Sequence, residues 1–440
     1  MGTAGASAEG VKVSAPKGVW SDLPWYFSYC LYHLFLFPVL AFVGLCRFHR
    51  EKLKGIGWAR LRGGTAPPHP ARWVVFVAGA LGEARTATSA GMALKDAHPV
   101  AVWLQQAQPY RAIRKRVGDT LPVGLAPLNN PFSALIALLR WRPKALVFIE
   151  QTSNLHLVML ARMLGVKVVI ANVSLTEYRA GKYRRRPFGP KRFKMADLVL
   201  AVGEEHRQRL LDLGVHPDRI LVTGPPVPPP PKEQDRERWS TEWRQRFGIR
   251  NGEPVIVAGS TYPEEEGVLL EAFRRVKQVA PDAKLVLAPR HTSREDLDQV
   301  VRQSGLEYEL RSRLNGEPAQ ADVILLDTQG ELSHVWGTAT VAFVGGSLMR
   351  RGPGHSPLEP LSWCVPVTMG PSFEQQTAAV NLCKEWGIVQ ICADPAVLAE
   401  TWLAASQNQE YRRAFSERCE EFLTHGSKVY ERWWQAICDE

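Results

Sequence analysis

Residues 343–360 read FVGGSLMRRGPGHSPLEP and contain one complete strand–loop–helix unit. The stretch starts as an apolar strand, breaks at Gly345 and Gly346, and restarts at Ser356 and Pro357. Serine suits the N-cap position of a helix, and proline suits the first helical position. The same alternation of strand and helix recurs on both sides of this unit, which predicts an α/β protein.

Short, almost continuous apolar runs lie between longer helical patterns along most of the chain. Strands of this kind are buried on both faces, so they indicate parallel sheets covered by helices on both sides. The predicted strands of the first half are WVVFVAG (73–79), VAVWL (100–104), ALVFIE (145–150), KVVIAN (167–172), LVLAV (198–202) and ILVTG (220–224). Those of the second half are PVIVAGS (254–260), KLVLAPR (284–290), DVILLD (322–327), VAFVGG (341–346), VPVTMG (365–370) and IVQIC (388–392).

A proline-rich run, GPPVPPPPKEQ (224–234), separates the two halves and predicts a stiff linker. The predicted fold class is α/β, with two doubly wound Rossmann-like domains facing a cleft. Several classes of two-domain enzyme share this plan, the GT-B glycosyltransferases among them. The predicted segments are a disordered N terminus (1–20), a membrane anchor with basic juxtamembrane residues (21–62), a first domain (63–223), a linker (224–239), a second domain (240–405) and a C-terminal amphipathic helix (406–440).

Composition and charge narrow the class of protein only slightly. The chain has 440 residues, 22% of them charged, and a formal net charge of +10. This charge suits an anionic partner, but the basic residues do not alternate with aromatics, so no nucleic acid is expected as a partner. The seven cysteines form no CxxC pair, which disfavours a zinc site or a disulfide framework and indicates a reducing compartment.

Residues 23–46 read LPWYFSYCLYHLFLFPVLAFVGLC and contain no Asp, Glu, Lys or Arg. The segment is long enough to cross the hydrocarbon core of a bilayer, and its aromatic residues suit the interface. Basic residues follow at once, which predicts that the rest of the chain stays on the cytoplasmic side. A buried core helix is the competing interpretation. The sequence leaves open whether the segment spans the bilayer or lies in its interface.

The second half carries candidate anion-binding residues at two strand ends. Gly345 and Gly346 allow the backbone to approach a ligand closely, and His355 adds positive charge to their loop when protonated. Arg290 and His291 follow the predicted strand KLVLAPR, and an arginine at such a place suits a phosphate. A solvated arginine is the alternative interpretation there.

Other candidates lie at predicted helix starts. Ser260 lies on a strand-to-helix turn, and Thr328 forms a T-x-x-E capping box with Glu331. Ser356 and Glu359 have the same spacing. Capping explains these residues as well as ligand binding does, so both roles stay open.

In the first half, VAGALGEARTATSAGMAL (77–94) forms the matching strand–loop–helix unit and carries Glu83. A carboxylate at the mouth of a cleft can act as a general base on a hydroxyl group. An acid in the first turn of a helix is also favoured by the helix macrodipole. The residues alone leave these two roles open.

Taken together, these stretches resemble the Kdo transferases of lipopolysaccharide assembly. Those enzymes move 3-deoxy-D-manno-octulosonic acid (Kdo) from its CMP ester to a lipid A precursor. The resemblance implies the GT-B fold, with an acceptor-side first domain and a donor-side second domain. It is thinner in the first half, where it rests on Gly82-Glu83, FIE (148–150), IANVSLT (170–176) and LVTG. In the second half it is dense and in fixed order: AGSTYPEEE, LAPRH, VRQSGLEY, LDTQGEL, AFVGGSLMRRGPGHSPLEP and VTMGP.

The resemblance also implies roles for single residues. Glu83 matches the catalytic carboxylate that activates the acceptor hydroxyl, and Arg290 with His291 would hold the CMP phosphate. Neither a metal nor a cofactor is implied. The residues implied to bind CMP-Kdo are Ser260, Arg290, His291, Gly330, Glu331, Gly345, Gly346, Ser347, His355, Ser356 and Glu359.

The chain departs from the family pattern mainly in its first half. EQTSNLH (150–156) stands where the family reads ETELWPN, so a second acid and a Trp are missing. NVSLT (172–176) lacks the family's Arg, and GPPVPP (224–229) lacks its Lys. These changes fall on the acceptor side and indicate a divergent member.

The predicted function is the transfer of Kdo from CMP-Kdo to a lipid A precursor of the lipid IVA type, with inversion, at the cytosolic face of a bacterial inner membrane. The expected partners are CMP-Kdo, the lipid A precursor, and the membrane with its anionic lipid surface. One alternative is another GT-B transferase with a different acceptor or a different CMP-activated acid. The other is a catalytically inactive membrane-bound relative.

Overall fold

The structure is a computed structural model that describes residues 22–31, 57–69, 71–152, 154–292, 298–350 and 352–438. The described residues form two compact units. The first unit extends to Pro226 and also includes the residues from Val429 onward, and the second extends from Val227 to Lys428. Each unit contains a seven-stranded sheet, which confirms the predicted α/β fold with two parallel-sheet domains.

The sheet of the first unit is parallel throughout. Its strands are β1 (Val74–Ala78), β2 (Val100–Leu104), β3 (Val123–Leu125), β4 (Ala145–Ile149), β5 (Lys167–Val173), β6 (Leu198–Ala201) and β7 (Ile220–Val222). They pair in the order β3-β2-β1-β4-β5-β6-β7. The order reverses between β1 and β4, and doubly wound sheets bind ligands at the carboxyl ends of the strands beside such a switch point.

Helices cover both faces of this sheet, and each face has its own hydrophobic cluster. Polar side chains fix some of the helix starts. Asn130 Oδ1, for example, accepts a hydrogen bond from the Ser133 amide at 2.8 Å. The helices are α1 (residues 23–31), α2 (Gly57–Leu61), α3 (Leu81–Leu94), α4 (Ala107–Val117), α5 (Pro131–Trp141), α6 (Leu155–Met163), α7 (Glu177–Arg185), α8 (Lys191–Lys194) and α9 (Glu204–Asp212).

The second unit repeats the plan. Its strands are β8 (Val255–Thr261), β9 (Lys284–Pro289), β10 (Tyr308–Leu310), β11 (Val323–Leu325), β12 (Val341–Val344), β13 (Val367–Met369) and β14 (Val389–Ile391). Their order is β10-β11-β9-β8-β12-β13-β14, so the switch point lies between β8 and β12. The helices are α10 (Glu233–Arg246), α11 (Pro263–Val279), α12 (Gln299–Ser304), α13 (Leu332–Val335), α14 (Leu358–Leu361), α15 (Thr377–Glu385) and α16 (Pro395–Gln407). The last helix, α17 (Gln409–Cys438), begins in this unit.

Each predicted strand overlaps an observed one, and the sequence missed only β3 and β10 among the strands described. Both are three residues long, which is too short for an apolar pattern to be recognised. The predicted linker 224–239 also differs from the structure, because α10 begins at Glu233. The predicted C-terminal helix contains α17, whose residues from Val429 onward belong to the first unit.

The predicted apolar anchor helix is not supported. Among the helices of the described residues, none is both long enough and apolar enough to cross a membrane. Residues 1–20 and 32–46, on which the disordered N terminus and most of the anchor were predicted, lie outside the described residues. The described part, α1, packs on the first unit, where Tyr29 is only 5% exposed and belongs to the core. The described part of α1 is not a buried core helix either, because Tyr29 is its only buried residue and Phe27 is 66% exposed.

Asp22 fastens the start of α1 to the first unit. Its carboxylate lies 3.0 Å from Arg162 Nη1 and 3.2 Å from Lys191 Nζ, and the Arg162 side chain is only 3% exposed. We predict that Asp22→Ala lowers the free energy of unfolding by about 1 to 3 kcal/mol, because it deprives a buried guanidinium of a charged acceptor. Urea unfolding would measure the change.

Asp96→Ala is the matched control for this prediction. Asp96 pairs with Lys95, but its side chain is 87% exposed, so its loss should change stability by less than about 0.5 kcal/mol. Equal effects of the two substitutions would contradict the docking of α1 through Asp22.

Candidate functional site

Two glutamates lie at the switch point of the first unit. Glu83 is in the first turn of α3, which follows β1, and Glu150 directly follows β4. The two strands are parallel neighbours, so their carboxyl ends lie at the same edge of the sheet. This is the edge where a doubly wound sheet binds its ligands.

Glu83 is partly buried and touches the loop that precedes its own helix. Its Oε2 atom accepts hydrogen bonds from the amides of Gly79 at 2.6 Å and Ala80 at 3.2 Å. Burial raises the pKa of Glu83, and the charge of Glu150 raises it further, whereas the two amides and Arg179 lower it. The net result is a pKa above the ordinary glutamate value of 4.5. Glu83 therefore caps α3 from its first turn, and it also has the pKa direction that suits a general base.

Glu150 was not among the predicted site residues. Its backbone has a φ angle of 62°, in the left-handed region that is rare for residues other than glycine. Burial raises the pKa of its carboxyl, and Arg179, whose Nη1 lies 3.5 Å from Glu150 Oε2, lowers it. Backbone strain of this kind is concentrated at functional sites. The acid that ends the predicted strand ALVFIE was the available sequence signal.

The residues after Glu150 in 150–156 hold the loop together. The Tyr183 hydroxyl donates a hydrogen bond to Gln151, and Arg192 Nη1 donates to the Thr152 carbonyl at 2.7 Å. Asn154 caps α6 by accepting from the Leu157 amide at 3.0 Å. The positions at which this chain departs from the family pattern thus have structural roles here.

In the second unit, the loop after β12 packs tightly on the end of β8. A Cβ atom on Gly345 would lie 2.5 Å from the Ser260 carbonyl oxygen, so only glycine fits there. Ser260 itself has a φ angle of 59°. Gly346 has a φ angle of 68°, which glycine adopts without strain. The close approach of the loop to β8 therefore requires Gly345, and the left-handed backbone conformation favours glycine at position 346.

A buried carboxylate, Glu265 in the first turn of α11, binds this loop. Oε1 accepts hydrogen bonds from the amides of Gly346 at 2.6 Å and Tyr262 at 3.0 Å. Oε2 accepts from the amides of Ser347 and Leu348, each at 3.2 Å. Burial raises the pKa of Glu265, whereas the four amides lower it. The backbone amides of this loop were expected to bind an anionic group of a ligand. They instead donate hydrogen bonds to the protein's own carboxylate.

Aromatic and basic side chains gather above this loop. The rings of Tyr262 and His355 are stacked, with centroids 5.9 Å apart and an interplanar angle of 10°. His291 meets Tyr262 edge-on at 5.7 Å. Burial, together with the charges of Arg290 and His291, lowers the pKa of His355 to about 4, so His355 is neutral at pH 7. This differs from the positive charge that the sequence suggested for it.

His355 has a polar atom available for a ligand. Its Nε2 atom is buried and has no hydrogen-bond partner among the described residues. Its backbone amide donates to the Gly345 carbonyl at 3.1 Å, which fixes the residue over the glycines. Arg290 and His291 follow β9 directly and are exposed, so both can reach a ligand at this edge. The structure therefore gathers these three predicted residues and adds Tyr262, which sequence reasoning did not select.

The remaining predicted residues are held by the protein itself. The Ser347 hydroxyl donates to the Val344 carbonyl at 2.6 Å and accepts from the Gly370 amide at 2.8 Å. Glu331 Oε1 pairs with Arg311 Nη2 at 2.9 Å. Their assignment to CMP-Kdo stays a prediction, as does that of Gly330, whose φ angle is 87°.

The helices that follow two of the predicted helix starts are short, with four residues each. The helix after Thr328 begins only at Leu332, so Thr328 bonds the side chain of Glu331 and caps no helix amide. The helix of the stretch 343–360 is α14, which has four residues and is directly preceded by Pro357. Ser356 Oγ accepts from the Leu358 amide at 3.4 Å, and Glu359 lies in the first turn. Within the described part of the chain, no three His, Cys, Asp or Glu side chains are grouped as a metal site would require.

Comparison with known proteins agrees with the resemblance seen in the sequence. A family model described as 3-deoxy-D-manno-octulosonic-acid transferase (kdotransferase) matches residues 55–226. The chain is 27% identical to the 3-deoxy-D-manno-octulosonic acid transferase of Chlamydophila psittaci, over 72% of this chain and 71% of that protein. It is 24% identical to the enzyme of the same name from Haemophilus influenzae, over 93% of this chain and 97% of that protein. The predicted resemblance to Kdo transferases and the prediction of a glycosyltransferase are confirmed.

Solved structures share the fold at lower sequence similarity. A glycosyltransferase from Rickettsia africae superposes with a TM-score of 0.57 at 11% identity, covering 84% of this chain and 100% of that one. This likeness supports the two-sheet plan of the GT-B type. The relative placement of the two sheets and the predicted cleft stay predictions.

The bonds of Glu265 to the glycine loop give a testable expectation. Glu265→Gln places an amide group against backbone amides that need an acceptor. We predict a loss of about 2 to 4 kcal/mol in the free energy of unfolding, measured by urea denaturation. Glu264→Gln, an exposed neighbour in the same turn, should change it by less than about 0.5 kcal/mol. If Glu265→Gln is as stable as the wild type, the loop is held in another way.

Proposed function

Because the chain is a relative of the Kdo transferases, we propose that it transfers Kdo from CMP-Kdo to a lipid A precursor of the lipid IVA type. The observation that carries this proposal is the placement of Glu83. It is a partly buried carboxylate with a raised pKa, and it lies at the ligand-binding edge of the sheet in the unit that the family model covers. The expected outcome of the reaction is inversion at the anomeric carbon of Kdo.

Glu83 acts as the general base in this proposal. The carboxylate removes the proton of the acceptor hydroxyl while that oxygen attacks the anomeric carbon of Kdo, from the face opposite CMP. The bonds from Gly79 and Ala80 hold the carboxylate in place. Its raised pKa makes it a better proton acceptor than an ordinary glutamate.

The second unit binds the CMP-Kdo donor. Arg290 and His291 stabilise the phosphate that leaves with CMP, because charge grows on its oxygens as the glycosidic bond breaks. His355 is neutral at pH 7, so its buried Nε2 forms a hydrogen bond with the nucleotide and adds no charge. Tyr262 packs against both histidines and keeps their rings in position.

A different acceptor is the second candidate. The structural roles of Gln151, Thr152 and Asn154 favour it, because the family has other residues at these positions and they lie beside Glu150. Such an enzyme would use CMP-Kdo, or another CMP-activated acid, with the same base. A relative that binds CMP and transfers nothing is the inactive alternative.

The protein works at the cytoplasmic face of a bacterial inner membrane in this proposal. Helix α5 presents an exposed apolar row at helical spacing, formed by Phe132, Leu135, Ile136 and Leu139. Exposed basic residues, Arg140, Arg142 and Lys144, lie at the end of the same helix and just beyond it. An apolar row beside basic residues suits an anionic lipid surface, where a lipid A precursor resides.

We predict that Glu83→Gln reduces the turnover of Kdo transfer by about 10²- to 10⁴-fold, because a carboxamide accepts no proton. In the wild type, activity should fall on acidification through a pKa above 4.5, since only the carboxylate form is active and burial raises the pKa of Glu83. Mass spectrometry of the lipid product at a series of pH values measures both.

Glu204→Gln is the control for this variant. Glu204 is also an acid in the first turn of a helix of the first unit, and its side chain is 72% exposed. Its turnover should equal that of the wild type. Full activity of Glu83→Gln would show that Glu83 is not the general base.

The lipid-facing role of α5 has its own test. Leu139 is 59% exposed, and burying a leucine in lipid contributes about 1.5 to 3 kcal/mol. We predict that Leu139→Glu weakens binding to anionic vesicles by about tenfold or more in a sedimentation assay. Val397→Glu, at an exposed apolar position of α16, should bind as the wild type does. Unchanged binding of Leu139→Glu would show that α5 does not meet the membrane.

A further inference from the structure

A cavity of the second unit lies at the opposite edge of its sheet from the glycine loop. It has a volume of about 550 Å³. Its walls include Pro254, Thr340 and Pro366, which directly precede β8, β12 and β13. The amino ends of parallel strands lie together, so the cavity is at the amino edge of the sheet, whereas the candidate donor residues lie at the carboxyl edge.

Cys364 lines this cavity and is partly exposed in it. Its backbone has a φ angle of 56°, a left-handed conformation that residues other than glycine rarely adopt. The cysteine lies between α14 and β13, where the chain turns back toward the sheet. Strained backbone held by surrounding structure is typical of positions with a chemical role.

A second cysteine is in contact with the first. The carbonyl oxygen of Leu361 accepts two hydrogen bonds, one from the Cys364 amide at 2.9 Å and one from the Cys419 thiol at 3.2 Å. The Cys364 amide and the Cys419 thiol share this one acceptor, so the two cysteines are neighbours although they lie far apart in the sequence. Cys419 belongs to α17 and is completely buried. The pair therefore consists of one accessible and one inaccessible thiol.

The surroundings of Cys364 favour its thiolate. The hydrogen bond with Cys419 lowers the pKa of the Cys364 thiol most, and the charge of Arg236 lowers it further, whereas burial and Glu420 oppose this. Arg236 lines the same cavity, where its Nη2 atom donates to the Trp363 carbonyl at 3.1 Å. A thiolate beside a guanidinium in an open cavity is the arrangement found in reactive cysteines.

We propose that Cys364 is a peroxide-reactive thiol and that Cys419 is its resolving partner, so that the two form a disulfide in the second unit. This proposal is independent of the sugar that the enzyme transfers. The modification site lies at the edge of the sheet away from the candidate donor residues.

The chemistry needs only a peroxide as the oxidant. The Cys364 thiolate attacks one oxygen of hydrogen peroxide, the O–O bond breaks, and a sulfenic acid and hydroxide form. The Cys419 sulfur then attacks the sulfenic sulfur, and its proton leaves with the hydroxyl group as water. In total, two thiols and one peroxide give one disulfide and two waters.

The test treats the reduced full-length protein with hydrogen peroxide and follows it by mass spectrometry. The expected product is lighter by about 2 Da, and its non-reduced digest contains a Cys364–Cys419 linked peptide. Cys419→Ser should stop at the sulfenic acid, which dimedone traps on Cys364. Cys364→Ser should form no disulfide. Cys392→Ser changes a buried cysteine of another part of the unit and should form the link as the wild type does.

Three results would overturn the proposal. The first is a wild type that keeps its free thiols under peroxide. The second is oxidation that maps to other cysteines, for example the buried Cys383, whose pKa burial raises to about 12. The third is a Cys364→Ala variant, with unfolding as cooperative as that of the wild type, which still consumes peroxide at the wild-type rate.

Discussion

The carboxylate of Glu265 holds together the part of the second unit on which the candidate donor site depends. It accepts hydrogen bonds from four amides, three of them in the loop after β12 and one at the start of α11. The two segments are about eighty residues apart in sequence, and a desolvated carboxylate with four donors keeps them in contact. His355 lies over Gly346 because this loop is fixed, and Tyr262 lies beside it because the start of α11 is fixed.

The two units use the same local element for different purposes. In each, a glutamate in the first helical turn after the first strand faces the switch point of the sheet. Glu265 is completely buried, and both of its carboxylate oxygens accept hydrogen bonds from backbone amides. Glu83 is partly exposed, accepts from two nearby amides through Oε2, and lies close enough to Glu150 for their charges to interact. The difference in burial separates a structural carboxylate from one that can exchange a proton with a ligand.

Much of the fold follows from local patterns in the sequence, and the site follows from them only partly. The apolar strands of both sheets are recognisable because they are buried on both faces, and Glu83 is recognisable by its place after a strand and a glycine. Glu265 was not selected, because its partners lie far along the chain and its own neighbours suggest only a helix start. His355 was expected to carry positive charge, but its burial beside Arg290 keeps it neutral. Glu150 was missed because its strained backbone and its proximity to Glu83 appear only when β1 and β4 are paired.

Mass spectrometry of the acceptor lipid is the decisive measurement for Kdo transfer by this chain. The full-length protein in mild detergent would be given a tetra-acylated lipid A precursor with CMP-Kdo, generated in place. The account predicts that the lipid gains the mass of one or more Kdo units, and that it gains nothing when CMP-Kdo is left out. A folded protein that binds UDP-sugars in preference to CMP and leaves the lipid unchanged would contradict the account.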